Sequence, residues 1–171
     1  MDAGNNGLIV FAFGAPSGIR SNQILSENAA KIAAANHWPV YTQADIVIDK
    51  SLFDVTYTAE LPGEPPPTLR IARGAAEWAL ARELDYVFIL AAAPHQSRCY
   101  RDFCHALCEI RGKSMPVIWH LMTFGSFKRV PEEEWFCHDS LQSRTRSRAA
   151  WERREWILMH MPMFIYKRVA N

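Results

Sequence analysis

A histidine and an arginine follow one of the most apolar stretches of this 171-residue sequence. The stretch "YVFILAAA" runs directly into "PHQSR", which contains His95 and ends in Arg98. We expect both residues to lie at the start of a helix, where the positive end of the helix dipole disfavours an arginine. An anion between the helix terminus and Arg98 would make that position favourable, because a guanidinium binds phosphate or carboxylate bidentately. The pattern therefore predicts an anion-binding site.

Two further apolar stretches end in small or polar residues. Gly14, Ser17 and Arg20 follow "LIVFAF", and Gln43 follows "WPVYT". Ligands of open α/β sheets bind outside the carboxyl ends of the strands. We therefore expect these residues to join His95 and Arg98 around an anionic small molecule, nucleotide-like or phosphorylated. Gly14 and Ser17 would offer backbone or hydroxyl contacts, and Arg20 would hold the anion together with Arg98.

The two arginines also have structural interpretations. Arg98 has an alternative partner in Asp102, four residues further along the predicted helix. Arg101 points elsewhere on the helix wheel, and we interpret it as solvated.

His95 is the candidate catalytic residue. Its reference pKa of about 6.5 suits a general acid or base, whereas a capping or orienting histidine would do no chemistry. No serine or cysteine is placed as a nucleophile beside it, and a hydrolase or transferase would need a second titratable group. The sequence offers three such groups: Asp45, Glu64 and His120.

The sequence identifies no cofactor and favours no metal site. "GAPSG" is neither a dinucleotide fingerprint nor a phosphate-binding P-loop. Cys99 and Cys104 lie about 140° apart on a helix, so Cys99, Cys104 and Cys108 cannot all reach one metal. We interpret the cysteines as free thiols, with Cys99 at the edge of the core.

The C-terminal third is rich in arginine and tryptophan. Because the net charge is only +1, we interpret "RTRSRAAWERR" as a solvated basic helix face and expect no nucleic-acid partner. We expect "WILMHMPMFIYKR" to pack on its own sheet, with a membrane surface or a homodimer interface as alternatives. The alternative function is a non-enzymatic interaction module, anchored by Trp135, Trp151 and Trp156.

Apolar strands alternate with amphipathic helices, which indicates one α/β domain over residues 1–171, with a mainly parallel sheet flanked by helices on both faces. We expect Ser21 or Asn22 to cap the first helix and Thr68 to cap a later one. "DIVID" and "DVTYTAEL" are strand-like, "PVIWHLM" (116–122) is another strand after a helix closed by Gly112, and a last helix covers about 145–160. The first residues lack the basic region of a signal peptide, and the apolar runs are too short to span a bilayer, so we expect a cytoplasmic protein.

The ordered motifs resemble the SanA/YdcF-like family, a domain-of-unknown-function family. "LIVFAFG" with Arg20, "TLRIARGAAEWA" and "VFILAAAPHQSR" match its pattern over about residues 8–122. The resemblance implies a Rossmann-like sheet with a polar cleft, and it adds Thr68 to His95 and Arg98 as ligand-binding residues. It implies no settled reaction.

Overall fold

Four parallel strands form the sheet of the computed structural model, which describes residues 5–59, 67–111 and 130–169. The strands are β1 (Asn6–Val10), β2 (Val40–Thr42), β3 (Val55–Tyr57) and β4 (Tyr86–Leu90), in the order β3-β2-β1-β4. The helices are α1 (Arg20–Asn36), α2 (Thr68–Ala81), α3 (Gln96–Arg111), α4 (Arg148–His160) and α5 (Met163–Val169). This arrangement confirms the predicted α/β class and is a Rossmann-like fold.

β1 is covered on both of its faces. Leu8 and Val10 belong to one core cluster, whereas Ile9 and Phe11 belong to the other, and all four side chains are fully buried. Successive residues of a strand point to opposite faces of the sheet. The unbroken apolar run therefore serves two layers at once, as a central parallel strand requires.

The helices form a layer on each face of the sheet. α1 packs on one face through Ile24, Leu25 and Ala29. α2 and α3 pack on the other face, where α2 contributes the alanines at 72, 75, 76 and 79 and α3 contributes Cys99 and Phe103. The small side chains of α2 let its backbone approach the sheet and α3 closely. Cys99, which we expected at the edge of the core, is fully buried within this cluster.

The chain leaves β1 and β4 towards opposite faces of the sheet. α1 follows β1 on one face, and α3 follows the neighbouring strand β4 on the other. Such a divergence opens a crevice at the carboxyl ends of the two strands, which is where open α/β sheets bind ligands.

The C-terminal helices lie over this crevice. The indole Nε1 of Trp151 in α4 donates a hydrogen bond to the carbonyl of Pro94, at 3.0 Å, directly after β4. The Trp151 ring also packs edge-on against Phe13, with centroids 4.6 Å apart, and against His95, at 5.1 Å. α4 is therefore fixed to the strand ends through a buried aromatic side chain.

Some sequence expectations differ from the structure. "DIVID" lies in irregular chain, and only Val55–Tyr57 of the second strand-like stretch forms a strand. α5 follows Pro162 and was not anticipated, because seven residues are too few for a clear helical periodicity. The predicted strand at 116–122 and the helix end at Gly112 lie outside the described residues.

The predicted helix caps are wrong. Ile19 occupies the capping position of α1, and Pro67 that of α2. Ser21, Asn22 and Thr68 lie within the helices, and their side chains bind other parts of the chain. Tertiary partners have therefore taken the hydrogen-bonding groups that a local cap would use. No helix in the described part of the chain combines the length and apolarity needed to cross a bilayer.

Candidate functional site

A cavity of about 210 Å³ lies at the carboxyl ends of the strands. Its walls come from the chain after β1, β2 and β4, from the start of α2, and from the C-terminal helices. Five of the seven predicted ligand-binding residues line it: Gly14, Gln43, Thr68, His95 and Arg98. The strand-end rule therefore predicted four of these residues, from three separate stretches of sequence, and the family resemblance added Thr68.

Ser17 and Arg20 do not line this cavity. Arg20 is exposed and donates from Nε to the carboxylate of Glu134, at 3.1 Å. Ser17 lies in the turn that precedes α1 and is half-buried. The helix begins at Arg20 itself, and the structure does not bring these two residues to the cavity with the other five.

Arg98 is paired with the C-terminal helix. Its Nε lies 3.0 and 2.8 Å from the two carboxylate oxygens of Glu155, and its Nη1 donates to the Thr68 hydroxyl at 2.9 Å. Burial is the largest single influence on the pKa of Arg98 and acts to lower it, but the Glu155 carboxylate together with Tyr166 and Cys99 raises the pKa overall. Arg98 is therefore charged and firmly oriented at the cavity wall.

The alternative pairing of Arg98 with Asp102 is wrong, and so is the interpretation of Arg101 as solvated. The fully buried Asp102 accepts hydrogen bonds from Arg101 and from the Tyr166 hydroxyl. Arg101 also donates to the carbonyls of Leu158 and Met159, at 2.8 and 3.4 Å. These carbonyls belong to the last turn of α4, where backbone acceptors lack helical partners and a cation is favourable.

Three guanidinium groups face the cavity: those of Arg98, Arg144 and Arg154. Burial, Arg154 and Arg98 together lower the pKa of Arg144 to about 10. Burial and Arg98 also lower the pKa of Arg154. Among the residues that the structure describes, only Arg98 of the three has a carboxylate partner. The cavity therefore concentrates positive charge that the carboxylates of the described residues do not fully balance.

His95 is buried beside these arginines. Burial holds the pKa of its imidazole well below the usual range, and Arg98, Arg144 and Arg154 add to the effect. Its Nε2 lies 3.4 Å from the Thr68 hydroxyl oxygen, which already accepts from Arg98. Nδ1 has no hydrogen-bond partner in the described ranges. The ring is therefore neutral and retains unused hydrogen-bonding capacity.

The geometry supports binding more directly than proton transfer. Of the three proposed partners for His95 in acid–base chemistry, Asp45 does not line the cavity, and Glu64 and His120 lie outside the described residues. The carboxylate near the arginines is Glu155, whose pKa is raised by burial against the opposing effect of Arg98. Both of its carboxylate oxygens accept from Arg98.

Sequence reasoning missed Arg144, Arg154 and Glu155 as site residues. The stretch that contains the two arginines was interpreted as a solvated basic face, but Arg144 and Arg154 are partly buried. A signal exists in the spacing, because Arg154 follows the core residue Trp151 by three positions and precedes the buried Leu158 by four. An arginine on the apolar side of a helix points towards an anion or a buried carboxylate.

No protein-family model matches this chain, and no curated protein or solved structure is significantly similar to it.

Proposed function

We propose that this protein binds an anionic small molecule, phosphorylated or nucleotide-like, in the cavity at the carboxyl ends of β1 and β4. The observation that carries the proposal is the convergence of Arg98, Arg144 and Arg154 on one cavity, where the described part of the chain supplies a carboxylate partner for only the first. Like charges brought together raise the free energy of the empty site, and an anion lowers it. His95 would orient the ligand through its unused ring nitrogen.

Arg154 and its neighbour Arg153 offer a matched test. Arg154 lines the cavity, whereas Arg153 is exposed on the same helix. Isothermal titration calorimetry would measure the affinities of the native protein and both variants for four anions: inorganic phosphate, methyl phosphate, adenosine monophosphate and acetate. We expect at least one phosphate compound to bind, with the affinity reduced at least about tenfold by Arg154→Gln. Arg153→Gln should change it less than about twofold.

Two results would refute the proposal. One is that no anion of the panel binds to the native protein. The other is that the two variants weaken binding equally, because a general loss of positive charge would then explain the effect.

Two of the three tryptophans proposed as anchors for the alternative function, an interaction module, are buried. Trp135 and Trp151 are 1% and 3% exposed, and only Trp156, at 65%, is accessible to a partner. A homodimer contact, a cytoplasmic location, proton exchange by His95 and membership of the SanA/YdcF-like family all stay predictions.

A further inference from the structure

The amount of positive charge at the cavity, as well as its sign, limits which anions the site suits. Arg98, Arg144 and Arg154 contribute three positive charges, and Glu155 balances one of them through its hydrogen bonds to Arg98. His95 is neutral. The nearby carboxylate of Asp102 accepts hydrogen bonds from Arg101 and from the Tyr166 hydroxyl. Two positive charges therefore remain without a carboxylate among the residues that the structure describes.

The common biological anions differ in how many charges one group carries. A carboxylate, a phosphodiester and a sulfate ester each carry a single negative charge near pH 7. A phosphomonoester carries about −1.5 to −2 with three terminal acceptor oxygens, because its second pKa is about 6. Of these groups, only the phosphomonoester matches a site with two uncompensated cations.

The size of the cavity limits the rest of the ligand. Pockets that enclose drug-sized ligands have volumes of about 300–1,000 Å³, whereas this cavity has about 210 Å³. Phe13, Trp151 and Leu158 give it an apolar side beside the arginines. This combination suits a phosphoryl group on a compact organic body.

We propose that the site selects the dianionic phosphoryl group of a compact phosphomonoester over singly charged anions. This inference rests on the proposed function and narrows it from anions in general to one protonation state of one chemical class. Arg144 and Arg154 would hold the phosphoryl oxygens. Arg98, whose charge Glu155 balances and whose guanidinium is held by Glu155 and Thr68, would position them.

Methyl phosphate and dimethyl phosphate are similar in size and shape but differ in charge, so comparing them tests the effect of the ligand's charge. They differ by one methyl group, and at pH 7.5 the first is mainly a dianion and the second a monoanion. Calorimetric titration of the full-length native protein would compare both, with inorganic phosphate as a compact reference. We expect methyl phosphate to bind at least about tenfold more tightly than dimethyl phosphate, because one charge-assisted contact is lost with the second charge.

The same pair, measured with Arg154→Gln, controls for steric exclusion by the extra methyl group. Removing one of the two uncompensated charges should shrink the preference for methyl phosphate severalfold. A purely steric preference would survive the substitution and would overturn the inference.

The two proposals fail in different ways. Equal affinities of native protein for methyl phosphate and dimethyl phosphate would overturn the dianion inference and leave the anion site standing. If neither these ligands nor any anion of the wider panel binds, both proposals are wrong.

Discussion

The segment after β1 and the arginine-bearing C-terminal segment both reach the strand ends, but they use their polar groups in opposite ways. Around β1, the amide of Asn22 accepts from the N–H of Phe13 and donates to the carbonyls of Gly14 and Pro16. Gln43 accepts from the N–H of Ala12. In the C-terminal segment, Arg144 and Arg154 make no ion pair within the described ranges, and burial and neighbouring arginines lower the pKa of each.

This difference shows which polar groups are available to a ligand. A polar side chain whose bonds are filled by the protein contributes to folding and shapes the wall. A cation left without a partner costs stability in the empty protein and contributes when an anion arrives. Position at a strand end is therefore a weaker guide to function than the hydrogen bonds a side chain already makes.

The largest effect is expected for a side chain whose hydrogen bonds are filled by the protein itself. Asn22→Ala should destabilise the protein by about 3 kcal/mol, because a buried N–H and two carbonyls lose their partners. Urea denaturation followed by circular dichroism measures the change. Asn36→Ala is the control, since its amide contacts one exposed helix carbonyl, and it should cost no more than about 0.5 kcal/mol. Equal losses of stability in the two variants would show that the hydrogen bonds of Asn22 contribute no more to folding than an exposed contact does.

A second group of cations, around Glu109, differs from the cavity arginines because a carboxylate lies between its members. Glu109 accepts from Arg73 at 2.9 Å and from Lys167 of α5 at 2.6 Å. The hydrogen bond from Arg73, aided by Lys167, lowers the pKa of Glu109 from 4.5 to about 2. A depressed carboxyl pKa contributes stability that is present above pH 4.5 and is lost as the pH falls towards 2.

Glu109→Gln should therefore cost about 1 kcal/mol at pH 6, a value reduced by solvent screening of the ion pairs. The deficit should shrink as the pH falls from 5 to 2, as measured by urea denaturation across that range. Glu77→Gln, on the exposed side of α2, should show no such trend. A deficit that is independent of pH would contradict the assignment.

The smallest effect has the opposite sign. Without ligand, Arg154→Gln should stabilise the protein by up to about 1 kcal/mol, because it relieves repulsion with Arg98 and Arg144. Arg153→Gln, at an exposed position, should leave the midpoint of urea denaturation unchanged. A loss of stability in the Arg154 variant would mean that this side chain supports the fold instead of the ligand.

The sequence allowed the architecture and the position of the strand-end cavity to be predicted. Unbroken apolar runs identified β1 and β4, and the strand-end rule identified His95, Arg98 and Gln43. Such inferences need only local patterns and one rule about sheets.

The charge of the site was beyond these local patterns. Arg98 is paired with a residue 57 positions away, and no spacing rule connects the two. Arg144 and Arg154 enter the cavity because Trp151 fixes α4 to the strand ends. Ser21, Asn22 and Thr68 were misinterpreted as caps for the same reason, since local capping rules ignore partners that only the folded chain supplies.

The attachment of α4 at both of its ends has a kinetic consequence. Trp151 bonds to Pro94, and Arg101 bonds to the last carbonyls of the same helix, so one short segment after β4 holds both ends. The cavity walls are thereby joined before any ligand arrives, and little conformational entropy is left to lose on binding. A ligand of the proposed kind would then enter without waiting for a closing motion, and its association rate would be governed by diffusion and by electrostatic attraction to the arginines.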